Sequence, residues 1–162
     1  MNLIVAVTQD WGIGCENQLL IPISEDLKRF RSLTIGRVVV MGHNTFKSLP
    51  NGRPLKRRTN IVLSKDRSLA IPGVMVKHSV EDFLATAATF ESDDIFVIGG
   101  QAIYTALLPY CKKAYITKIH ATPKADTFFP NMDMMEDWRL AETSEVFESE
   151  GVPFQYCMYE KH

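Results

Sequence analysis

The chain has 162 residues, 46% of them hydrophobic and 23% charged, with a net charge of −1. That is the size and composition of one globular domain spanning residues 1–162, and it offers no whole-chain attraction to nucleic acid or to anionic membranes. Cys15, Cys111 and Cys157 are odd in number and far apart, which argues against a disulfide framework or a zinc site and suits a reducing cytoplasm. The four histidines show no metal-ligand spacing, so no metal is expected. The longest apolar run, Leu3-Ile4-Val5-Ala6-Val7, is too short to span a bilayer or to form a signal-peptide core.

That run predicts a first strand at 3–8. Residues 9–23 follow as a long irregular loop, a binding loop or an ordinary surface connection. Gly12-Ile13-Gly14-Cys15 within it nearly matches a dinucleotide fingerprint. The third glycine is missing and no helix follows before Pro22, so the match is rejected. A helix is predicted at 25–34, with Ser24 as its N-cap. Helical spacing puts Asp26, Phe30 and Leu33 on one face, with Leu27 beside them and the basic residues Lys28, Arg29 and Arg31 elsewhere. A carboxylate on an apolar face is disfavoured unless it is partnered, protonated or used. Asp26 is therefore either a site residue or a first-turn acid that complements the helix dipole.

Further strands are predicted at 38–41, 60–63, 74–77, 95–98 and 115–119, several of them nearly continuous Val and Ile, as suits strands covered on both faces. Helices are predicted at 44–49, 80–90 and 101–108, with Ser79 as N-cap of the second. Two strand–glycine–helix junctions stand out, Met41-Gly42-His43-Asn44-Thr45 and Ile98-Gly99-Gly100-Gln101-Ala102-Ile103. Each is either a tight structural turn or a place where free N–H groups meet an anion; together they could hold the two phosphates of a dinucleotide. Arg53, Lys56, Arg57 and Arg58 crowd one loop with no acid between Asn51 and Asn60. Most read as a solvated rim, although one arginine there could fork onto a carboxylate. Strands at 144–147 and 154–160, joined by a turn at Glu150-Gly151, close the chain as an antiparallel hairpin on one sheet edge. The alternation predicts an α/β fold with a mostly parallel central sheet flanked by helices.

Taken in order, these pieces resemble dihydrofolate reductase over almost the whole chain. Ile13-Gly14 with Glu16-Asn17 is similar to the start of that family's mobile loop, and Asp26, Leu27 and Phe30 to its catalytic-acid helix. Val40-Met41-Gly42 with Thr45 and Phe46 resembles a cofactor segment, and Gly52-Arg53-Pro54-Leu55 with Arg58 a glutamate-binding one. Asn60-Ile61-Val62-Leu63-Ser64, Val97-Ile98-Gly99-Gly100 with Ile103 and Tyr104, Tyr115-Ile116-Thr117 and Asp126-Thr127-Phe129-Pro130 complete the set.

The resemblance implies reduction of 7,8-dihydrofolate to 5,6,7,8-tetrahydrofolate by NADPH, with hydride to C6 and a proton to N5. Asp26 would hold the pterin and favour that protonation, supported by Thr117. Ile4, Val5, Ala6, Leu27, Phe30, Leu49 and Leu55 would line the substrate pocket, and Arg58 would clamp the glutamate carboxylate. Ile98 and Tyr104 would abut the contact between nicotinamide and pterin. Ala6, Ile13, Gly14, Gly42, Asn44, Thr45, Gly99, Gly100, Gln101, Ala102 and Ile103 would hold the cofactor, with the Gly99–Gly100 bond cis. Leu63, Ser64, Lys65, His43 and His78 would lie at its adenosine 2′-phosphate end, and Asp126 would steady the loop. The family also implies antifolate inhibitors as ligands, a monomer and a bacterial, cytoplasmic setting. The chain makes three departures from the family's common pattern. Leu20-Ile21 stands where Pro-Trp is frequent, His43 where Arg is frequent, and Ala102 where a second basic residue is frequent. The alternatives are a same-fold reductase of a pyrimidine intermediate in riboflavin biosynthesis and a non-catalytic nucleotide-binding module.

Overall fold

The computed structural model describes all 162 residues, Met1–His162. In chain order the elements are β1 (Asn2–Val7), β2 (Gly12–Cys15), β3 (Gln18–Leu19), α1 (Ser24–Thr34), β4 (Val38–Gly42), α2 (His43–Ser48), β5 (Thr59–Leu63), β6 (Met75–Lys77), α3 (Val80–Ala87), β7 (Ile95–Gly99), α4 (Gln101–Leu107), β8 (Lys113–Ile119), β9 (Thr127–Phe128), β10 (Trp138–Thr143), β11 (Phe147–Ser149) and β12 (Val152–Lys161). The main sheet runs β10-β12-β8-β1-β7-β4-β5-β6, with β11 paired to β12. Every pairing from β8 to β6 is parallel, and those made by β12 are antiparallel. No helix is long and apolar enough to cross a membrane.

The continuous apolar strands are explained by cover on both faces. Successive residues of β4 turn opposite ways, as the two-residue pleat requires. Val38 and Val40 enter a large core with Leu3, Val5, Val97, Phe83 and Leu107, while Val39 and Met41 pack with Phe46 and Val62 on the other side. The second face carries α2 and, near β8, the start of α1, where Ile23 packs with Ile119 and Phe154.

Four expectations need correcting. Residues 9–23 are not irregular throughout, because β2 and β3 lie within them and join β9 in a separate three-stranded sheet. Ser24 is not a cap but the first helical residue; buried Ile23 holds the N-cap position and makes no side-chain cap bond. Apolar burial, rather than a hydroxyl, sets where α1 begins. Residues 144–146 are not a strand, and β10 precedes them. Only Trp138 of β10 is buried, so that edge strand carries no alternating pattern to read. The hairpin of β11 and β12 does form at that edge and turns at Glu150-Gly151, both with positive φ as a primed turn demands, with β10 and β11 both paired to β12. Helix α3 ends at Ala87, shorter than its apolar stripe suggested.

Ser79 does cap α3, its Oγ accepting from the Asp82 N–H at 3.0 Å. Ser79→Ala should lower stability by about 1 kcal/mol, seen as a fall in the urea midpoint at unchanged slope.

Candidate active site

On the second face of the sheet, α1, β1 and β8 bring half-buried side chains together around Asp26, and this region is the candidate cleft. The alternation of β8 puts Thr117 on this face, where it is buried. Its Oγ1 donates to Asp26 Oδ1 at 2.6 Å across 91 positions of sequence. Asp26 is half-buried, and this loss of hydration raises its pKa above the ordinary carboxylate value. The Thr117 bond and the charge of Arg29 pull the other way without cancelling it.

Strand β1 lies beside β8, with Ile4 opposite Tyr115 and Ala6 opposite Thr117, so Ile4 and Ala6 face the cleft. Val5 does not. Its side chain sits in the large core with Ile116, leaving only its backbone to the site. The same correction applies to Leu63, whose side chain joins that core at the end of β5. Of the apolar residues expected to line the pocket, Phe30, Leu49, Leu55 and Ile98 are half-buried, whereas Leu27 is 49% exposed. Tyr104 is buried, with its hydroxyl donating to the Ile4 carbonyl at 2.8 Å. Arg29, read from spacing as lying off the apolar face, is half-buried over the Tyr156 ring, 4.0 Å from its centroid.

The two glycine junctions lie side by side, because β4 and β7 are parallel neighbours with Met41 opposite Gly99. A Cβ added at Gly100 would sit 3.4 Å from Thr45 Oγ1, one at Gly42 3.1 Å from Ile103 Cγ1, and one at Gly99 3.2 Å from the Tyr104 ring. Gly99 has φ +123°, and the Gly99–Gly100 bond is cis. Helices α2 and α4 both begin without a side-chain cap, at Gly42 and Gly100. This is a shallow, glycine-floored cradle with free backbone donors, which suits phosphates. At its far end His78 Nδ1 lies 2.9 Å from the Ser64 carbonyl oxygen. Hydrogen bonds from Ser68 lower the pKa of Asp66 there, and His43 and His78 add to the effect. His43, Ser64 and His78 therefore converge as expected; Lys65 is exposed next to them.

Ile13 and Gly14 lie in β2, and the loop they begin is tied down at several points. Glu16 N donates to Asp126 Oδ2 at 2.8 Å, and Asp126 N to the Gly14 carbonyl at 3.0 Å. Asn17 Nδ2 donates to the Asn44 carbonyl at 3.0 Å, and the Gln101 side chain accepts from Phe128 N at 2.8 Å. The last two ties were not legible in the sequence, because each joins residues 27 positions apart with no periodic signal.

At the other end of the cleft, Arg58 Nη1 donates to Thr34 Oγ1 at 3.2 Å and Nε to the Lys56 carbonyl at 3.0 Å. A depression of about 330 Å³ there is lined by Arg31, Arg53, Lys56 and Arg58, with Pro50, Asn51, Pro54 and Leu55. Burial lowers the pKa of Arg58, and the nearby charge of Arg31 lowers it further. The solvated rim is thus a gathered basic pocket, with no acid in its lining.

The family model described as dihydrofolate reductase matches residues 1–161. A dihydrofolate reductase of Bacillus subtilis (strain 168) is 36% identical over 163 residues, covering 99% of this chain and 94% of that protein. One from Staphylococcus aureus is 37% identical over 145 residues, covering 90% and 86%. The solved structure of dihydrofolate reductase from Enterococcus faecalis, complexed with NADP(H) and RAB-propyl, superposes with a TM-score of 0.89 at 36% identity, covering 99% of this chain and 95% of that one.

The raised Asp26 pKa has a consequence for stability. Its ordinary value is 3.8, so between that pH and its folded pKa the native state binds more protons than the unfolded chain. Stability contributed by this group therefore falls as pH rises through that window. Asp26→Asn should melt above wild type at pH 8, and the gap should close as pH falls towards 4, as read by thermal denaturation across pH.

Proposed function

The chain belongs to the dihydrofolate reductase family, and from that premise we propose that the cleft around Asp26 and Thr117 is where it reduces 7,8-dihydrofolate to 5,6,7,8-tetrahydrofolate with NADPH. The relatives named above are all dihydrofolate reductases, which favours folate over a pyrimidine intermediate of riboflavin biosynthesis. The observation that carries the residue roles is the partly desolvated Asp26 carboxylate bonded to Thr117 at 2.6 Å.

Asp26 accepts hydrogen bonds from the pterin amino group and ring N–H, a pairing of a carboxylate with two donors. Thr117 keeps one carboxylate oxygen fixed and so orients the acid. A pKa displaced towards neutrality lets Asp26 favour a proton at N5, directly or through water. Ile4, Ala6, Phe30, Leu49, Leu55 and Ile98 hold the rings and limit water around them, with Leu27 at the exposed mouth and the backbone of Val5 behind. The basic pocket takes the glutamate end, Arg58 forking onto its α-carboxylate.

NADPH fits the residues present, since the glycine cradle is one that a side chain at Gly42, Gly99 or Gly100 would fill. When bound it supplies the hydride that C6 of the pterin accepts. Thr45, Asn44, Gly100, Gln101, Ala102 and Ile103 would hold its phosphates and nicotinamide-side ribose. His43, Ser64, Lys65 and His78 would face its 2′-phosphate, and Ala6, Ile13, Gly14, Ile98 and Tyr104 its nicotinamide end. The whole cleft is built from one chain, in keeping with a monomer whose single domain spans residues 1–162. Three free cysteines suit the cytoplasm. Antifolates would compete through the same carboxylate.

Purified protein should consume NADPH absorbance when dihydrofolate is added, and far less NADH; no turnover would remove the assignment. Asp26→Asn should lose roughly 10²- to 10⁴-fold in kcat at neutral pH and recover part of it in acid, where dihydrofolate arrives protonated. Arg58→Leu should raise the dihydrofolate KM roughly ten- to hundredfold and leave the NADPH KM near wild type; equal rises in both would contradict the clamp.

A further inference from the structure

We propose that Arg29, stacked on Tyr156, is a positioning residue for the reaction, its charge governing how readily Asp26 takes and releases a proton. The proposal rests on the reading of Asp26 given above. It begins from a cation whose placement nothing else explains. Arg29 is half-buried, yet the ion pairs of the protein join Arg37 to Asp94, Lys77 to Asp82, Lys118 to Asp133 and Arg139 to Glu160, and leave it out. A guanidinium taken partly out of water without a carboxylate partner needs another source of stabilisation. Two aromatic faces supply it, Tyr156 at 4.0 Å and Tyr115 at 6.0 Å from Cζ.

Register fixes where that cation sits. Arg29 follows Asp26 by three residues on α1, so the two share one side of the helix. Tyr156 on β12 lies directly opposite Thr117 on β8, and Thr117 is the residue that grips Asp26. The aromatic platform under the cation and the hydroxyl that holds the acid are thus facing residues of adjacent strands. Behind them a depression of about 270 Å³ is lined by Arg29, Tyr156, Cys157 and the end of β10. Its one acid, Glu142, lies beyond ion-pair distance of Arg29.

Few other groups compete for this role. From α1 the neighbours are Glu25 and Arg29, from β8 Thr117 and Tyr115, from β12 Tyr156, and β1 brings only Ile4 and Ala6. Arg29 is the sole cation acting on Asp26, and it favours the ionised form against the burial that opposes it. Burial also raises Tyr156, so that phenol stays neutral beneath the guanidinium at physiological pH. A neutral side chain in place of Arg29 could still stack, but it would exert no field on the acid.

The test is a carboxyl-carbon NMR titration of Asp26 alongside the pH profile of kcat, in the full chain. Arg29→Gln should move the Asp26 midpoint up by about half a unit to one unit and carry the alkaline fall of kcat with it. Arg29→Lys, which keeps the charge, should stay nearer wild type. Lys28→Gln removes the same charge from an exposed neighbour on α1 and should leave both midpoints in place. An Arg29→Gln midpoint that stays put or falls, or an equal rise in Lys28→Gln, would overturn the proposal. Should Arg29→Gln not fold, wild type serves: its Asp26 midpoint should climb between low and molar salt as the attraction is screened, and a flat response would overturn it. A moved carboxyl midpoint with an unmoved kcat profile would uphold the link between Arg29 and Asp26 and remove the acid role of Asp26.

Discussion

The bond from Thr117 to Asp26 joins everything else in this molecule. It ties α1 to the centre of the sheet, and it does so with a carboxylate that water has partly abandoned. A single hydrogen bond of this kind contributes about 1–3 kcal/mol, less than the penalty of burying a charge with no partner at all. The acid is therefore a liability to the fold, which its chemistry explains on the proposed reading. Its ionisation is balanced among burial, one hydroxyl and one guanidinium.

The parallel sheet explains why the cleft lies where it does. A sheet covered on both faces must send its chain back through helices, and each return creates a strand-to-helix junction at the same edge. Two of those junctions, after β4 and β7, stand next to each other because the strands do. Their glycines leave a floor without side chains and two uncapped helix starts, which is what a pair of phosphates needs. The acid comes from α1 on the same face. On the proposed reading, topology brings the cofactor cradle and the acid to one side of the sheet.

The three departures from the common family pattern take on meaning in this setting. Leu20-Ile21 replaces a pair that often carries an indole N–H, and Ile21 packs instead against the apolar group around Ile23 and Phe154. The acid then depends more on the groups that remain, Thr117 and Arg29. His43 and Ala102 leave fewer fixed charges around the 2′-phosphate region, where His78 is held against Ser64 and Asp66 lies close by. On the proposed reading, recognition there rests on converging histidines and an exposed lysine rather than on an arginine fork.

From residues alone one could read the α/β class, the six parallel-sheet strands, the two glycine junctions and the suspicion that Asp26 is used. Those features are written in local terms, as runs of Val and Ile, as helical spacing and as glycine at strand ends. Tertiary structure decided the remainder. Val5 and Leu63 turned into the core because strand pleating assigns faces, and motif resemblance cannot count that alternation. Leu27 stayed exposed and Arg29 turned inward, since the aromatic surface offered by β8 and β12 lies more than eighty residues further along the chain. The loop ties at Asn17 and Gln101 and the gathering of Arg31 with Arg58 likewise join distant positions. Local pattern carries the energetics of elements, whereas a site is a set of long-range contacts whose free energy exists only once the sheet has closed.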